Sequence, residues 1–402
     1  MIDLRAARAD PDAYRDALAR KGAAEAFDAL LAADERWRAL IPEVDELRSR
    51  TKLKGKPSPE ELEALQQVKE ELRQREAALT EAEAERDIAL ALVPNPPHES
   101  APDGETEEDA EELRRLGDPP ALDGVKEHVE IGRFDMERAG RISGARFGYI
   151  IGDAARVAMA LYQFALDHLA EAGFTPVIPP VLVREEAMYG TGFFPTERSN
   201  IYALESDGLF LTGTSEVALA SLHMGEILDE LPLRYTGFST NFRREAGAAG
   251  KDTRGMFRVH QFNKVEMFVF TLPDVSWEEH ERMLDLEERF VQALDLPYRV
   301  MNVAAGDLGA SAAKKYDIEA WFPFQERYRE VTSCSNTTDF QSRRLGIRYR
   351  AERRLEHPHT LNGTMVTDRA LLAILENFQG DVPDVLRRYG APAEVSRDGS
   401  TI

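Results

Sequence analysis

The stretch NFRREAGAAGKDTRGMFRVHQFNKVEMF, residues 241–268, concentrates the side chains best suited to hold phosphate. Four arginines and two glutamates surround a glycine-rich loop, and a guanidinium can grip phosphate oxygens as a two-pronged fork. The Gly250-Lys251 pair invites a P-loop reading, but that motif needs a glycine five residues earlier and Ser or Thr after the lysine. Here Glu245 and Asp252 fill those places, so Lys251 is incidental. Read instead as a strand, MFRVHQFNKVEMFVF (256–270) puts Arg258, His260, Phe262, Lys264 and Glu266 on one face and Val259, Val265 and Val269 on the other. The preceding Phe242-Arg243-Arg244-Glu245 ends a second strand, and an antiparallel return would bring Arg243 and Glu245 beside that face. Such a surface can hold a nucleotide through arginine, carboxylate and a stacked ring. The same residues also suit a salt-bridged solvent face.

These groups need a scaffold. PLRYTGFSTNF and YDIEAWFP read as further strands, ARVAMALYQFALDHLAEAG as a helix, and the short hairpin-like spacing favours an antiparallel sheet in an α+β domain. Upstream, residues 27–92 read as two helices folded back on each other. Leu30, Trp37 and Val44 recur every seven residues with Ala33, Leu40 and Leu47 between them, and after a turn at 55–59 Leu65, Leu72 and Leu79 repeat likewise with Val68 and Ala82. Ser58-Pro59-Glu60-Glu61 is a capping box, so the second helix should span 59–92, roughly 50 Å at 1.5 Å per residue. Pro42 should kink the first helix. Helices are expected in residues 1–26, and 93–120, rich in Pro and acid, reads as a linker.

With 402 residues the chain has room for two domains. Its net charge of -22 argues against nucleic acid as a partner, because phosphate binding is driven by cations, yet Arg48, Arg50, Lys52, Lys54 and Lys56 form one basic run with no acid among them. No run reaches the roughly 20 apolar residues of a membrane helix, and MIDLRAARADPDAYRDALARKG lacks a signal-peptide core, so a cytoplasmic protein is expected. The one cysteine, Cys334, excludes a disulfide framework and multi-thiolate zinc, and reads as a small buried residue.

Across almost its full length the chain resembles seryl-tRNA synthetases, a class II aminoacyl-tRNA synthetase family. AGFTPVIPPVLV is similar to motif 1 (about 172–182), the 241–268 stretch to motif 2 and NGTMVTDRALLAILENFQ to motif 3 (about 362–379). YGTGFFP, TGTSEVAL, YREVTSCSN and the heptad arm match further family signatures. The resemblance implies a tRNA-binding domain over 1–112, with an antiparallel coiled-coil arm at about 27–92, before a catalytic antiparallel-sheet domain over 113–402.

It also implies residue roles. Arg243 and Arg369 would be catalytic. Arg243 would bind the α-phosphate of ATP, Glu245 read the adenine amino group, Arg258 hold the bent triphosphate, and Phe262 stack on adenine opposite Arg369. Arg244, Val259, His260, Gln261, Val331 and Thr332 would complete the ATP site, with His260 structural. Glu330 and Ser333 would hold Mg2+. Thr214, Ser215, Glu216, Arg243, Glu266, Asn362 and Thr364 would select L-serine. The basic run at 48–56 would bind tRNA(Ser), with tRNA(Sec) left open. A homodimer is implied, and neither a membrane nor DNA is expected as a partner. Against the usual family pattern, Ser215 replaces an alanine, Val366 and Asp368 stand where glycines are common, and motif 3 is one residue shorter before Arg369. A carrier-protein ligase would lack the arm and use a metal-held thiol, a non-catalytic paralogue would lose the ATP contacts, and a coiled-coil scaffold would leave three-quarters of the chain idle.

Overall fold

The computed structural model describes residues 1–52, 58–246, 255–352 and 354–397. Two compact units divide the chain, Met1–Pro96 and Pro97–Ile402. The first begins with α1 (Leu4–Ala9) and α2 (Pro11–Ala19), each started by an aspartate that accepts first-turn N–H groups. Two long helices follow, α3 (Ala24–Arg50) and α4 (Pro59–Leu92). The capping box forms as the sequence predicts: Ser58 Oγ accepts the Glu61 N–H at 3.2 Å and the Glu61 carboxylate accepts the Ser58 N–H at 2.7 Å. Pro42, expected to kink α3, lies inside one continuous helical span.

Cross-helix pairs give the direction. Arg36 meets Glu85, Glu43 meets Arg75 and Arg48 meets Glu76, so α3 and α4 run antiparallel. These exposed pairs contribute only about 0.2–1 kcal/mol each and serve register more than stability. The seam itself is thin. Leu30, Ala33, Val44 and Leu47 are buried, but Trp37 is half-covered, its ring lying 3.9 Å from the Arg86 guanidinium carbon. Where the hairpin meets α1 and α2, Leu18, Phe27, Leu30, Leu90 and Val93 form a small core. In the basic run, Arg48 is engaged with Glu76 and Asp45, and Arg50 and Lys52 are exposed. Lys54 and Lys56, and most of the expected turn, lie outside the described residues.

The second unit is built on an eight-stranded sheet: β1 (Glu111–Leu116), β2 (Thr175–Val177), β3 (Leu233–Phe242), β4 (Gln261–Thr271), β5 (Tyr298–Asn302), β6 (Lys314–Phe322), β7 (Arg327–Asn336) and β8 (His359–Thr367). The spatial order is β1-β5-β6-β7-β8-β4-β3-β2. Every neighbouring pair is antiparallel except β3 with the edge strand β2, which is parallel. The segment read as a linker is structured: β1 pairs with β5, and the Asn302 side chain donates to the Ser100 carbonyl at 2.9 Å. Its composition hid this because every residue of β1 is exposed, so no apolar alternation marks an edge strand held by backbone bonds and by ion pairs such as Arg114 with Glu288 and Glu112 with Arg299.

One side of the sheet is covered by α5 (Asp153–Glu171), α7 (Ser276–Ala293) and α8 (Asp368–Phe378); α6 (Glu216–Ala220) lies between β2 and β3 in sequence. Strand β4 is buried on both faces. Val265, Met267 and Val269 pack into the helical core with Leu161, Phe290 and Leu372, each burial worth about 2 kcal/mol. Phe268 and Phe270 point the other way, against Leu219, Leu345 and Ile347, while Lys264 and Glu266 on that same face stay polar. Alternation therefore holds from Gln261 onward. It fails before it, because β4 begins five residues later than the predicted strand: residues 255–260 form turns, and Arg258 and His260 are not strand residues.

Candidate active site

A cavity of about 380 Å³ opens on the polar face of β4, β7 and β8. Its cationic wall has three sources. Arg243 leaves the end of β3, donates Nε–H to the Gly213 carbonyl at 3.1 Å and places its guanidinium carbon 5.2 Å from the Phe262 ring centre. His260 braces the same residue by donating Nδ1–H to the Arg243 carbonyl at 2.9 Å. Arg258 pairs with Glu245 at 2.5 Å. Arg369 sits in the first turn of α8, which Thr367 caps, and its Nη1 donates to the Glu330 carbonyl at 3.0 Å. Asp368 ties that helix start down: Oδ2 accepts the Asn263 N–H at 3.0 Å and Oδ1 accepts the Tyr162 hydroxyl. A carboxylate where glycine is common in the family thus has a structural use here.

Facing these arginines, the Glu330 side chain is 43% exposed and lines the cavity with Ser333. Burial raises its pKa, but Lys315, Arg369, Arg243 and Lys264 outweigh burial and hold it down at about 2. At neutral pH it is an ionised oxygen donor. Phe257, which the sequence reading did not assign, serves as a platform: the guanidinium carbons of Arg329 and Arg369 lie 3.7 and 4.5 Å from its ring centre.

The other end of the cavity carries acid. Glu216 begins α6, is 8% exposed, and its Oε1 accepts from Gln341 at 2.7 Å and Asn362 at 3.0 Å. Thr214 Oγ1 accepts from Lys264 Nζ at 3.0 Å and donates to Glu266 Oε2 at 3.2 Å, and Lys264 pairs with the same carboxylate. Burial pushes the Glu266 carboxyl up to about 7, Lys264 opposes and the neighbouring Glu216 adds. Thr364 is fixed through its carbonyl, which accepts the Thr332 hydroxyl.

The structure therefore brings Arg243, Glu245, Arg258, Val259, Phe262 and Arg369 to one cavity, with Glu330, Val331 and Ser333 opposite and Thr214, Glu216, Asn362 and Thr364 at the acidic end. It keeps others out of the wall. Glu266 is fully buried behind Thr214 and Lys264, Thr332 lies behind Thr364, and Ser215 turns to Ser239 at 2.5 Å and the Gly237 carbonyl at 3.4 Å. Those two bonds accommodate the hydroxyl that replaces the usual alanine. Arg244 is exposed with its guanidinium carbon 5.4 Å from the Tyr202 ring centre, and Gln261 is exposed on β4. Lys315, Asp307 and Gln341 went unassigned in the sequence because nothing in their local spacing marks them. Residues 247–254, including Lys251, lie outside the described residues.

A family model described as Seryl-tRNA synthetase N-terminal domain matches residues 1–97, and one described as tRNA synthetase class II core domain (G, H, P, S and T) matches residues 202–378. The chain is 48% identical over 411 residues to the serine–tRNA ligase of Acidothermus cellulolyticus, covering 97% of this chain and 98% of that protein. A crystal structure of seryl-tRNA synthetase from Pyrococcus horikoshii complexed with ATP superposes with a TM-score of 0.92 at 39% identity, covering 98% of this chain and 99% of that one. The cytoplasmic serine–tRNA ligase of Naegleria fowleri in complex with AMP superposes at 0.87 with 34% identity, covering 97% and 96%.

Proposed function

The chain belongs to the seryl-tRNA synthetase family and is a serine–tRNA ligase, and from that premise we propose how its cavity divides the work between ATP and L-serine. The observation that carries the reading is the meeting of Arg243, Arg258 and Arg369 with Glu330 and Ser333 beside the Thr214, Glu216, Asn362 and Thr364 end of one cavity. ATP lies along the arginine wall: Arg243 on the α-phosphate, Arg258 and Arg369 on the bent tail, Glu245 on the adenine amino group and Phe262 against the base. Likeness to relatives holding ATP or AMP supports this. Serine occupies the acidic end, its ammonium balanced by Glu216 with Glu266 behind Thr214, and its hydroxyl bonded to Thr364.

In the first step the serine carboxylate attacks the α-phosphorus in line, forming seryl-adenylate and releasing pyrophosphate. In the second, a terminal ribose hydroxyl of tRNA attacks the acyl carbon and AMP leaves. The side chains need move no proton in the first step. Alignment and fixed positive charge lower the barrier, and Arg243 stands where charge grows. Among the described residues no cluster of three or more His, Cys, Asp or Glu could hold a metal. One ionised carboxylate and one hydroxyl, Glu330 and Ser333, fit Mg2+, an ion that completes its shell with phosphates and water. Bound there, it would neutralise phosphate charge.

The α3–α4 hairpin is the tRNA-binding element, gripping the long variable stem of serine tRNA by shape and phosphate contacts rather than base edges. A second copy of the chain covers the motif 1 segment, where Ile178 is 93% exposed beside edge strand β2. Among the described residues no helix is long and apolar enough to cross a membrane, which suits a cytoplasmic enzyme.

Pyrophosphate exchange tests the reading. It should depend on serine and stay near background with alanine, which leaves the polar pocket unpaired, and with glycine or threonine. Exchange supported equally by alanine would sink the serine assignment. A pH profile tests the acidic end. Glu266 with a pKa of about 7 in the empty site is protonated below that value and charged above it. The kcat/KM for serine should therefore level off just above pH 7, where the amino acid is still an ammonium ion, and fall about tenfold per unit well below it, as protonation of Glu266 removes a negative charge behind the ammonium site. Glu266→Gln should remove this limb, and an unchanged limb in that variant would contradict the assignment.

A further inference from the structure

Residues 127–131 carry none of the roles above, yet His128 is only 1% exposed. Its Nδ1 lies 2.7 Å from Glu376 Oε1, and its Nε2 lies 3.2 Å from the backbone nitrogen of Met256. A backbone N–H can only donate, so Nε2 is the acceptor and the ring hydrogen sits on Nδ1, donating to Glu376. Glu376 Oε2 in turn accepts the Phe324 N–H at 3.3 Å. A Cβ on Gly255, where φ is +67°, would come within 2.7 Å of His128 Nε2. The tight approach therefore requires glycine immediately before the bonded N–H.

What that bond holds is the start of the arginine wall. Met256 is followed by Phe257, the ring on which Arg329 and Arg369 lie, and then by Arg258. Glu376 belongs to α8, the helix whose first turn carries Arg369. The Glu376, His128 and Met256 chain thus pins the backbone under Phe257 to the helix that presents Arg369. We propose that His128 and Glu376 are positioning residues for ATP: through the Met256 N–H they set the Phe257 ring and, with it, the Arg369 and Arg258 guanidinium groups. The proposal rests on the assignment of ATP to this wall.

Two substitutions separate positioning from simple core packing. His128→Gln can present a carbonyl oxygen near the Nε2 position and keep the Met256 bond, whereas His128→Asn keeps a donor toward Glu376 and falls short of Met256. In pyrophosphate exchange, His128→Asn should raise KM for ATP by about 10-fold to 100-fold, with His128→Gln within about 3-fold of the parent and serine KM little changed in both. Gly255→Ala attacks the same bond by driving a Cβ against the His128 ring while leaving His128 itself unsubstituted, and should show the same ATP-selective loss, which keeps the test open if His128→Asn fails to fold. The double variant His128→Asn with Phe257→Leu should be no worse than the poorer single variant, because both act through one ring. Equal damage by Gln and Asn, tracking Tm and spread over both substrates, would overturn positioning. An unchanged ATP KM in Arg369→Ala would instead overturn the ATP assignment itself, whatever the His128 variants do.

Discussion

Arg243→Ala should lower serine-dependent pyrophosphate exchange by about 10²-fold to 10³-fold, the loss typical of one preorganised donor at a site of growing charge. Size follows from preparation. The guanidinium is held before substrate arrives by the Gly213 carbonyl and the Phe262 ring, and the backbone beneath it by His260. Little reorganisation is therefore needed when negative charge builds on the α-phosphate. Arg243→Lys should recover only a small part, since an ammonium is a point charge that can neither fork onto two oxygens nor stack as a plane. The effect should fall mainly on kcat, because the charge is greatest in the transition state. Exchange near the parent rate in Arg243→Ala would remove the residue from the reaction.

The second large effect is expected in the other unit. Replacing Arg48, Arg50, Lys52, Lys54 and Lys56 with glutamine should weaken tRNA binding by about 10²-fold or more at low salt and flatten the slope of log affinity against log salt, as released counterions disappear from the balance. Adenylate formation should be untouched. Within the run the contributions should be unequal. Arg48 already faces Glu76 at 3.0 Å and Asp45 at 3.7 Å, so Arg48→Gln alone should cost less than Arg50→Gln or Lys52→Gln. Filter binding across a salt series reads the slope directly, and a slope unchanged in the five-fold variant would separate the basic run from tRNA. With a net charge of -22, nonspecific attraction elsewhere on the chain is weak, so the local loss should dominate.

The same arm illustrates how much could be read before folding. Its span, cap and seam rows follow from spacings of three, four and seven residues, which a helix converts directly into one face. The catalytic strand was legible for the same reason where it is regular. Phe262, Lys264 and Glu266 share a face as period two requires, but residues 255–260 look like strand by composition and are turns, because Phe257 is claimed by two guanidinium groups and the His260 N–H by the Arg146 carbonyl at 2.9 Å. Edge strand β1 was invisible since it buries nothing. Of the arginines that the motif resemblance implied for ATP, Arg243, Arg258 and Arg369 line one cavity and Arg244 does not, and Glu266, expected at the substrate amino group, sits behind Thr214 and Lys264.

By its spacing, the sequence determined the helical arm and the nearness of Arg243 to the Phe262, Lys264 and Glu266 face, because each of these depends on local geometry, while resemblance to the family supplied the motifs and added Arg369. Tertiary structure alone decided that Gln341 steadies Glu216 from 125 residues away, that Glu376 reaches His128 across 248, and that Asp368 closes on Tyr162 across 206. Such contacts exist only once the sheet order is set. In a β1-β5-β6-β7-β8-β4-β3-β2 arrangement, β5 to β8 follow one another in sequence, but β1 joins β5 and β8 joins β4 across long stretches of chain, and no local pattern encodes which buried carboxylate then meets which donor.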